Sequence, residues 1–123
     1  MITLDTGALI ALERGGARML RIVSAAVQSD TRITVPTVVV AEWWRGRASK
    51  RMQRLLDGID IEPLDARLAK IAGDAIGAVR GATTIDAIVM ASAAQRGDTV
   101  FTSDVEDLAH LAAFFRGVRV LHV

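Results

Sequence analysis

The sequence contains no cysteine, and this absence excludes disulfide bonds, thiolate metal ligands and a cysteine nucleophile. It also lacks any run of about 18 uncharged apolar residues, so no segment is predicted to span a membrane. Its opening segment, MITLDTGALIALERG, has no basic leader region and reaches an acid at Asp5, which is not typical of a secretory signal. We therefore expect a soluble, cytoplasmic protein without membrane contact.

Apolar residues make up 51% of the chain, and this fraction excludes a disordered protein. The 123 residues contain no linker, repeat or low-complexity segment. A chain of this length can bury a core of its own. We therefore expect one domain over residues 1–123.

Glycine separates helical from strand-like stretches three times, in RLLDG-IDIEP, AAQRG-DTVFTS and AFFRG-VRVLHV. The predicted strands cover residues 2–4, 32–35, 59–62, 99–102 and 118–122. The first and fourth are almost entirely apolar, as central strands of a parallel sheet are, whereas the third and fifth alternate as edge strands do. This pattern predicts an α/β three-layer sandwich around a mostly parallel sheet of about five strands.

Four acids are predicted to lie at one edge of this sheet, where the carboxyl ends of parallel strands form ligand sites. Asp5 follows the first strand directly, and Asp104 follows the fourth within two residues. Asp86 opens a helix that runs back toward the same edge. Glu42 lies early in the helix after the second strand, whose predicted N-cap is Thr37, and helical side chains point back toward the N-terminus.

Each acid also has a purely structural interpretation. The three aspartates fall at helix starts, where carboxylates cap backbone amides. Ser103 and Glu106 have the spacing of a capping box. Glu42 has Arg45 three residues later, which is a suitable partner for an ion pair on one helix.

The conjunction of the acids favours a cation site over four unrelated caps. Carboxylates about 5 Å apart repel each other by roughly 3 kcal/mol per pair at an effective dielectric near 20. Oxygen donors of this kind select a hard ion, Mg²⁺ or Mn²⁺. Zinc does not fit, because the two histidines, His110 and His122, lie away from these acids in the chain.

These residues also carry a resemblance to a known family. The segments ITLDTGALIAL, VVVAEWWRG and TTIDAIVMASAAQRGDTVFTSDVEDL resemble, in order, the motifs of PIN domains, specifically the VapC-type toxins of toxin–antitoxin pairs. The resemblance implies Mg²⁺- or Mn²⁺-dependent RNA cleavage, homodimerisation and inhibition by a cognate antitoxin. The site residues that it implies are Asp5 with its neighbour Thr6, Glu42, Asp86, Asp104 and Asp107.

The family often carries a further acid near the third one, and this chain departs from that pattern. The next acid after Asp86 is Asp98, beyond the helix, so the position stays unassigned. Asp107 is a candidate for holding a second ion or a ligating water. Thr102 and Ser103 are candidates for orienting an acid by hydrogen bonding.

Other acid-based enzymes fit the sequence less well. The triplet DTG occurs in aspartic proteases, but those are all-β proteins, and here it precedes a helical segment. A response-regulator receiver needs a lysine after a late strand, and the last lysine is Lys70. A haloacid-dehalogenase phosphatase needs an acid two residues after the first, where this chain has Gly7. The remaining alternative is a PIN-like module that binds a partner without cutting RNA.

A basic segment, RGRASKRMQR, follows the second motif and suits contact with an RNA backbone, although a solvated helix face is an equally good interpretation. Trp43 and Trp44 precede it, and adjacent residues of one helix cannot both face the core. We expect one to be buried and the other to contribute to a partner-binding groove. The candidate RNA-binding residues are Arg45, Arg47, Lys50, Arg51 and Arg54.

Overall fold

The computed structural model describes residues 1–47 and 49–123. Five strands form one sheet: β1 (Ile2–Leu4), β2 (Ile33–Pro36), β3 (Asp60–Glu62), β4 (Thr99–Thr102) and β5 (Arg119–His122). The described part of the chain has seven helices: α1 (Thr6–Glu13), α2 (Ala17–Gln28), α3 (Thr37–Trp44), α4 (Lys50–Asp57), α5 (Ala66–Ala78), α6 (Thr84–Ala94) and α7 (Val105–Ala112). None of these helices is both long enough and apolar enough to cross a membrane.

The sheet has the order β3-β2-β1-β4-β5, and all four neighbouring pairs are parallel. The prediction of β1 and β4 as central strands and of β3 and β5 as edges is therefore confirmed. The chain moves outward from β1 through β2 to β3 and then returns to the other side of β1 with β4 and β5. The order thus reverses between β1 and β4, which is where ligands bind in open α/β sheets.

Helices cover both faces of this sheet, as the three-layer prediction requires. Thr3 and Leu4 point to opposite faces because side chains alternate along a strand, yet both are fully buried. Helix α6 packs against β1, β2 and β4 and is itself covered by α5. Its residues 87–93 are all buried, which explains why this helix is apolar on every side.

The predicted N-cap of α3 is wrong by one residue. Pro36 occupies the cap position with an extended backbone, and Thr37 is the first helical residue, without a side-chain cap hydrogen bond. Proline is tolerated at a helix start because the missing N–H would have no partner within the helix. Strand β2 therefore passes into α3 without a linker, which fixes the position of Glu42 relative to the sheet.

A buried polar network fastens the edge strand β3 to α6. Arg96, just beyond α6, donates from Nη1 to Glu62 Oε2 at 2.8 Å and from Nε to Asp98 Oδ2 at 2.9 Å. Thr3 Oγ1 donates to the same Asp98 oxygen at 2.8 Å, and Ser92 Oγ donates to Glu62 Oε1 at 3.0 Å. Asp98 is thus committed to a structural ion pair at the amino end of β4, at the opposite edge from Asp104.

This network predicts a large loss of stability for Arg96→Met, because the change leaves two carboxylates without their cation. We expect the free energy of unfolding to fall by about 3–5 kcal/mol. Arg32→Met is the matched control: the Arg32–Asp60 pair has side chains 54% and 56% exposed, against 10% and 0% for Arg96–Asp98. The control should lose no more than about 1 kcal/mol in urea denaturation. Equal losses in the two variants would contradict this assignment.

Candidate active site

The caps that the sequence offered as structural interpretations are present for two of the three aspartates. Asp5 is the N-cap of α1, and its Oδ1 accepts from the backbone N of Ala8 at 2.9 Å. Asp104 is the N-cap of α7, where it accepts from the N–H of Asp107 at 3.4 Å. The predicted capping box from Ser103 to Glu106 is therefore wrong, because α7 begins one residue later.

The third aspartate, Asp86, does not cap its own helix. Thr83 is the N-cap of α6, and its Oγ1 accepts from the backbone N of Asp86 at 3.2 Å. The Asp86 carboxylate lies in the first turn of α6, half-buried and free of a capping role.

Three acids at this edge, Asp5, Asp86 and Asp107, have a raised pKa, and neighbouring carboxylates contribute to each. Burial raises the pKa of Asp5, and repulsion from Asp86 adds to it. Burial also raises the pKa of Asp86, with further contributions from the charges of Asp104 and Glu42. The pKa of Asp107 is raised mainly by its hydrogen bond with Asp104 and by the charge of that carboxylate. All five predicted acids therefore share one electrostatic environment.

Two threonine hydroxyls hold acids in position. Thr6, directly after Asp5, donates from Oγ1 to Glu42 Oε1 and so links α1 to α3. Thr102 at the end of β4 is fully buried, and its Oγ1 accepts from the backbone N of Asp104 at 2.9 Å. The same hydroxyl lowers the pKa of Asp5 and so partly opposes the effect of burial. Thr102 therefore connects the acids that follow β1 and β4.

Ser103 has a packing role, since its hydroxyl makes no hydrogen bond to an acid in the part of the chain that the structure describes. A Cβ atom at Gly7 would lie 1.9 Å from Ser103 Oγ and 2.8 Å from Ser103 Cβ. The first turn of α1 therefore lies directly against the turn between β4 and α7. Only glycine permits this approach, which explains the glycine of the DTG triplet.

The alternative in which Glu42 forms an ion pair with Arg45 is wrong. Arg45 Nε donates to the backbone O of Glu42 at 2.9 Å, and the Glu42 carboxylate accepts from Thr6 instead. Between residues 1–47 and 49–123, no ion pair involves Glu42.

The donor set fits a hard divalent cation. The side chains that shift the pKa of Asp5 and Asp86 all offer oxygen, and no arginine or lysine is among them. Within the described residues, however, no three Asp, Glu or His side chains converge closely enough to hold an ion as they stand. An ion would have to draw them together.

The predicted RNA-binding residues divide into two groups. Lys50, Arg51 and Arg54 lie on the exposed face of α4. Arg45 and Arg47 line a cavity of about 330 Å³, and Thr6 and Glu42 line the same cavity.

Sequence reasoning missed a third arginine of this cavity, Arg14, which directly follows α1. Arg14 stands far from the basic segment in the chain, and only the packing of α1 against α3 brings it there. The expectation for the two tryptophans is confirmed as regards burial, since Trp43 is 1% exposed and Trp44 is half-buried.

Comparisons with known proteins agree with this architecture. A family model described as PIN domain matches residues 2–113. A VapBC2 complex from Rickettsia felis bound to a promoter DNA fragment contains a chain with TM-score 0.78 and 14% identity, covering 100% of this chain and 99% of that one. A chain of a toxin–antitoxin complex from Klebsiella pneumoniae has a TM-score of 0.77 and 19% identity, and the match covers 96% of this chain and 95% of that one. A chain of FitAcB from Neisseria gonorrhoeae has a TM-score of 0.69 and 22% identity, and the match covers 98% of this chain and 96% of that one. At these identities the likeness shows the fold. A search of curated protein sequences finds no similar sequence.

The contact between Gly7 and Ser103 predicts a coupled pair of substitutions. Gly7→Ala should lower the free energy of unfolding by about 1–3 kcal/mol, because the new methyl group overpacks the turn after β4. Ser103→Gly should cost little alone and should recover part of the loss when combined with Gly7→Ala. A double-mutant cycle from urea denaturation measures the coupling. Additive losses would show that the two residues do not constrain each other.

The raised pKa of Asp5 predicts how stability without metal depends on pH. Because the folded chain binds this proton more tightly than the unfolded chain, stability falls as the pH rises through the raised pKa. In EDTA, Asp5→Asn should therefore be more stable than wild type near pH 7, and the difference should shrink toward pH 4, about the ordinary aspartate value. Urea denaturation at both pH values measures this.

Asp65→Asn is the control for the Asp5 experiment, because Asp65 caps α5 by accepting from Leu68 N at 2.8 Å but lies outside the acid cluster. It should give no gain in stability at either pH. A similar gain in both variants would assign the effect of Asp5→Asn to capping rather than to the cluster.

Proposed function

The chain belongs to the PIN domain family, and from this membership we propose that it is a metal-dependent endoribonuclease that serves as the toxin of a toxin–antitoxin pair. PIN domains are generally nucleases that use divalent metal ions. The observation that carries the proposal is the set of carboxylates at the switch point of the sheet, where burial raises the pKa of Asp5 and Asp86 and neighbouring carboxylates raise it further.

The residues that would hold the ion are Asp5, Glu42, Asp86 and Asp104, with Asp107 beside them. When bound, Mg²⁺ or Mn²⁺ supplies a Lewis acid that makes water acidic enough to attack a phosphodiester at neutral pH. The chain's own contribution is position. Thr6 bonds the Glu42 carboxylate and Thr102 bonds the backbone of Asp104, and the close contact of α1 with the turn after β4 holds the backbones that carry Asp5 and Asp104 near each other.

The partner proposal rests on the structural neighbours. Chains of the same fold occur in a VapBC2 complex bound to promoter DNA and in a toxin–antitoxin complex. We extend this to the present chain as a cognate antitoxin that inhibits it. We further propose, from the family resemblance, that the chain acts on RNA in the cytoplasm as a homodimer.

The alternative is a PIN-like module that binds a partner without cleavage. Such a module would gain nothing from acids whose mutual repulsion destabilises the folded state. The grouping of Asp5, Glu42, Asp86 and Asp104, together with the hydroxyls of Thr6 and Thr102, supports the enzyme. A nuclease assay separates the two functions.

The purified chain should cleave single-stranded RNA when Mg²⁺ or Mn²⁺ is present, and this cleavage should stop when EDTA is added. Even outer-shell partners of metal sites are worth roughly 10–100-fold in activity, so Asp5→Asn and Asp86→Asn should each lower the cleavage rate by at least about 100-fold. Asp74→Asn, on the exposed face of α5, is the matched control and should cleave as wild type does. Metal should also raise the Tm of wild type more than that of Asp86→Asn.

Growth provides a second measurement. Cells that express wild type or Asp74→Asn without an antitoxin should stop growing, whereas cells that express Asp86→Asn should continue to grow. Cleavage that persists in EDTA or in both site variants would contradict the metal mechanism. A folded wild-type chain that binds RNA and never cuts it would favour the binding module.

A further inference from the structure

The cavity between α1 and α3 has the features of a built anion site. It has a volume of about 330 Å³, and Thr6 and Glu42 are among the residues that line it. Glu42 also belongs to the acidic edge, the group of carboxylates at the carboxyl ends of the strands. Three arginines line it: Arg14, Arg45 and Arg47. The volume lies at the lower end of ligand pockets, about 300–1,000 Å³, so there is room for a single nucleotide unit and not for a duplex.

One of the three arginines is a brace for the cavity wall. Arg47 Nη2 donates to the backbone O of Trp43 at 2.7 Å, and its Nη1 lies 3.5 Å from Glu13 Oε2. Glu13 in turn accepts from Trp43 Nε1 at 2.8 Å. The arginine, the glutamate and the buried tryptophan thus hold the ends of α1 and α3 together and give the cavity a fixed shape.

The other two arginines keep donors available. Arg45 uses Nε on the backbone O of Glu42, which leaves both of its terminal nitrogens without a partner among residues 1–47 and 49–123. The Arg14 side chain makes no hydrogen bond or ion pair in that same part of the chain, and only its backbone N–H is paired, with Ile10 O. Their guanidinium groups come from the ends of two different helices and reach one cavity. Guanidinium donors of this kind match the oxygens of a phosphate.

The backbone of Arg45 supports a specific role for this side chain. Arg45 has φ 48° and ψ 35°, a left-handed conformation that is strained for a residue other than glycine. The next residue, Gly46, is also left-handed at φ 72° without that strain. The strained conformation sets the Arg45 guanidinium beside Glu42, at the border between the acids and the cavity.

We propose that this cavity is a phosphate subsite for single-stranded RNA, in which Arg14 and Arg45 bind the backbone phosphate of the nucleotide next to the cleaved bond. This inference rests on the proposed function, because a phosphodiester at the acids continues past Thr6 and Glu42 into the cavity. Arg47 acts as a positioning residue through Glu13 and Trp43. The subsite gives affinity and register, and it carries no base specificity.

RNA binding without metal tests the subsite separately from catalysis. A short fluorescein-labelled single-stranded RNA is titrated in EDTA at several salt concentrations, and anisotropy gives Kd. Each phosphate contact contributes about 0.7 to the slope of log Kd against log salt concentration for single strands. Arg14→Gln and Arg45→Gln should each weaken binding and lower the slope by about 0.7, and the double variant by about 1.4.

Arg67→Gln, on the exposed face of α5, is the matched control and should keep the wild-type Kd and slope. Thermal melts verify that each variant is folded. Arg14→Gln alone tests the subsite if Arg45→Gln does not fold, because the Arg14 side chain has no hydrogen bond to lose among the described residues. Wild-type slopes in both arginine variants would overturn the subsite.

Two further outcomes have distinct meanings. A polyglutamate peptide is added to the same titration as a competitor of the RNA for the cavity. If the peptide displaces the RNA, and Arg14→Gln weakens binding of the peptide but not of the RNA, the cavity receives a carboxylate-bearing protein segment and the RNA subsite is wrong. If the arginine variants lower the slope but wild type never cleaves RNA with Mg²⁺ or Mn²⁺, the binding site stands and the proposed nuclease function fails.

Discussion

Repulsion between carboxylates at one edge of a parallel sheet is the constraint on which the rest of this structure depends. A folded chain keeps such groups together only if the surrounding packing fixes them, since each would be more stable apart and in water. The order of the strands in the sheet provides this fixed packing. Strands β1 and β4 are neighbours, so the residues that follow them start side by side at one edge of the sheet.

The supports of the acidic edge are short-range and stiff. Thr102 is buried and joins the acids after β1 and β4, while Thr6 joins α1 to Glu42 on α3. The contact of Gly7 with Ser103 brings α1 directly against the turn after β4. Stability is supplied elsewhere, by the apolar helix α6 and by the Arg96 network beneath it. Acidic chemistry and structural ion pairing thus lie at different ends of β4.

The sequence predicted what depends on local pattern. Strand positions, the central and edge strands and the acidic edge all follow from apolar runs, glycine punctuation and the direction of parallel strands. The predicted helix starts differ from the structure by one residue where two neighbouring residues are both suitable caps. Pro36 displaced Thr37 as a cap, and Asp104 displaced Ser103, because each choice depends on where the strand before the helix ends.

Features that depend on packing between helices escaped the sequence. Arg14 stands apart from the basic segment and joins it only through the approach of α1 to α3. The pairing of Glu42 with Thr6 rather than Arg45 has the same cause, since two helices must meet before the hydroxyl is available. The commitment of Asp98 to Arg96 likewise requires the end of α6 to reach β3 and β4.

The strand order also decides when the acidic edge comes into existence during protein synthesis. A ribosome releases the amino end first, so β1, β2 and β3 emerge with their helices well before β4. Asp5 and Asp104 become neighbours only after β4 has been translated and has inserted beside β1. A nascent or stalled chain therefore carries Asp5 and Glu42 without the partner acid of β4. Translation itself therefore delays the complete set of acids until β4 has left the ribosome.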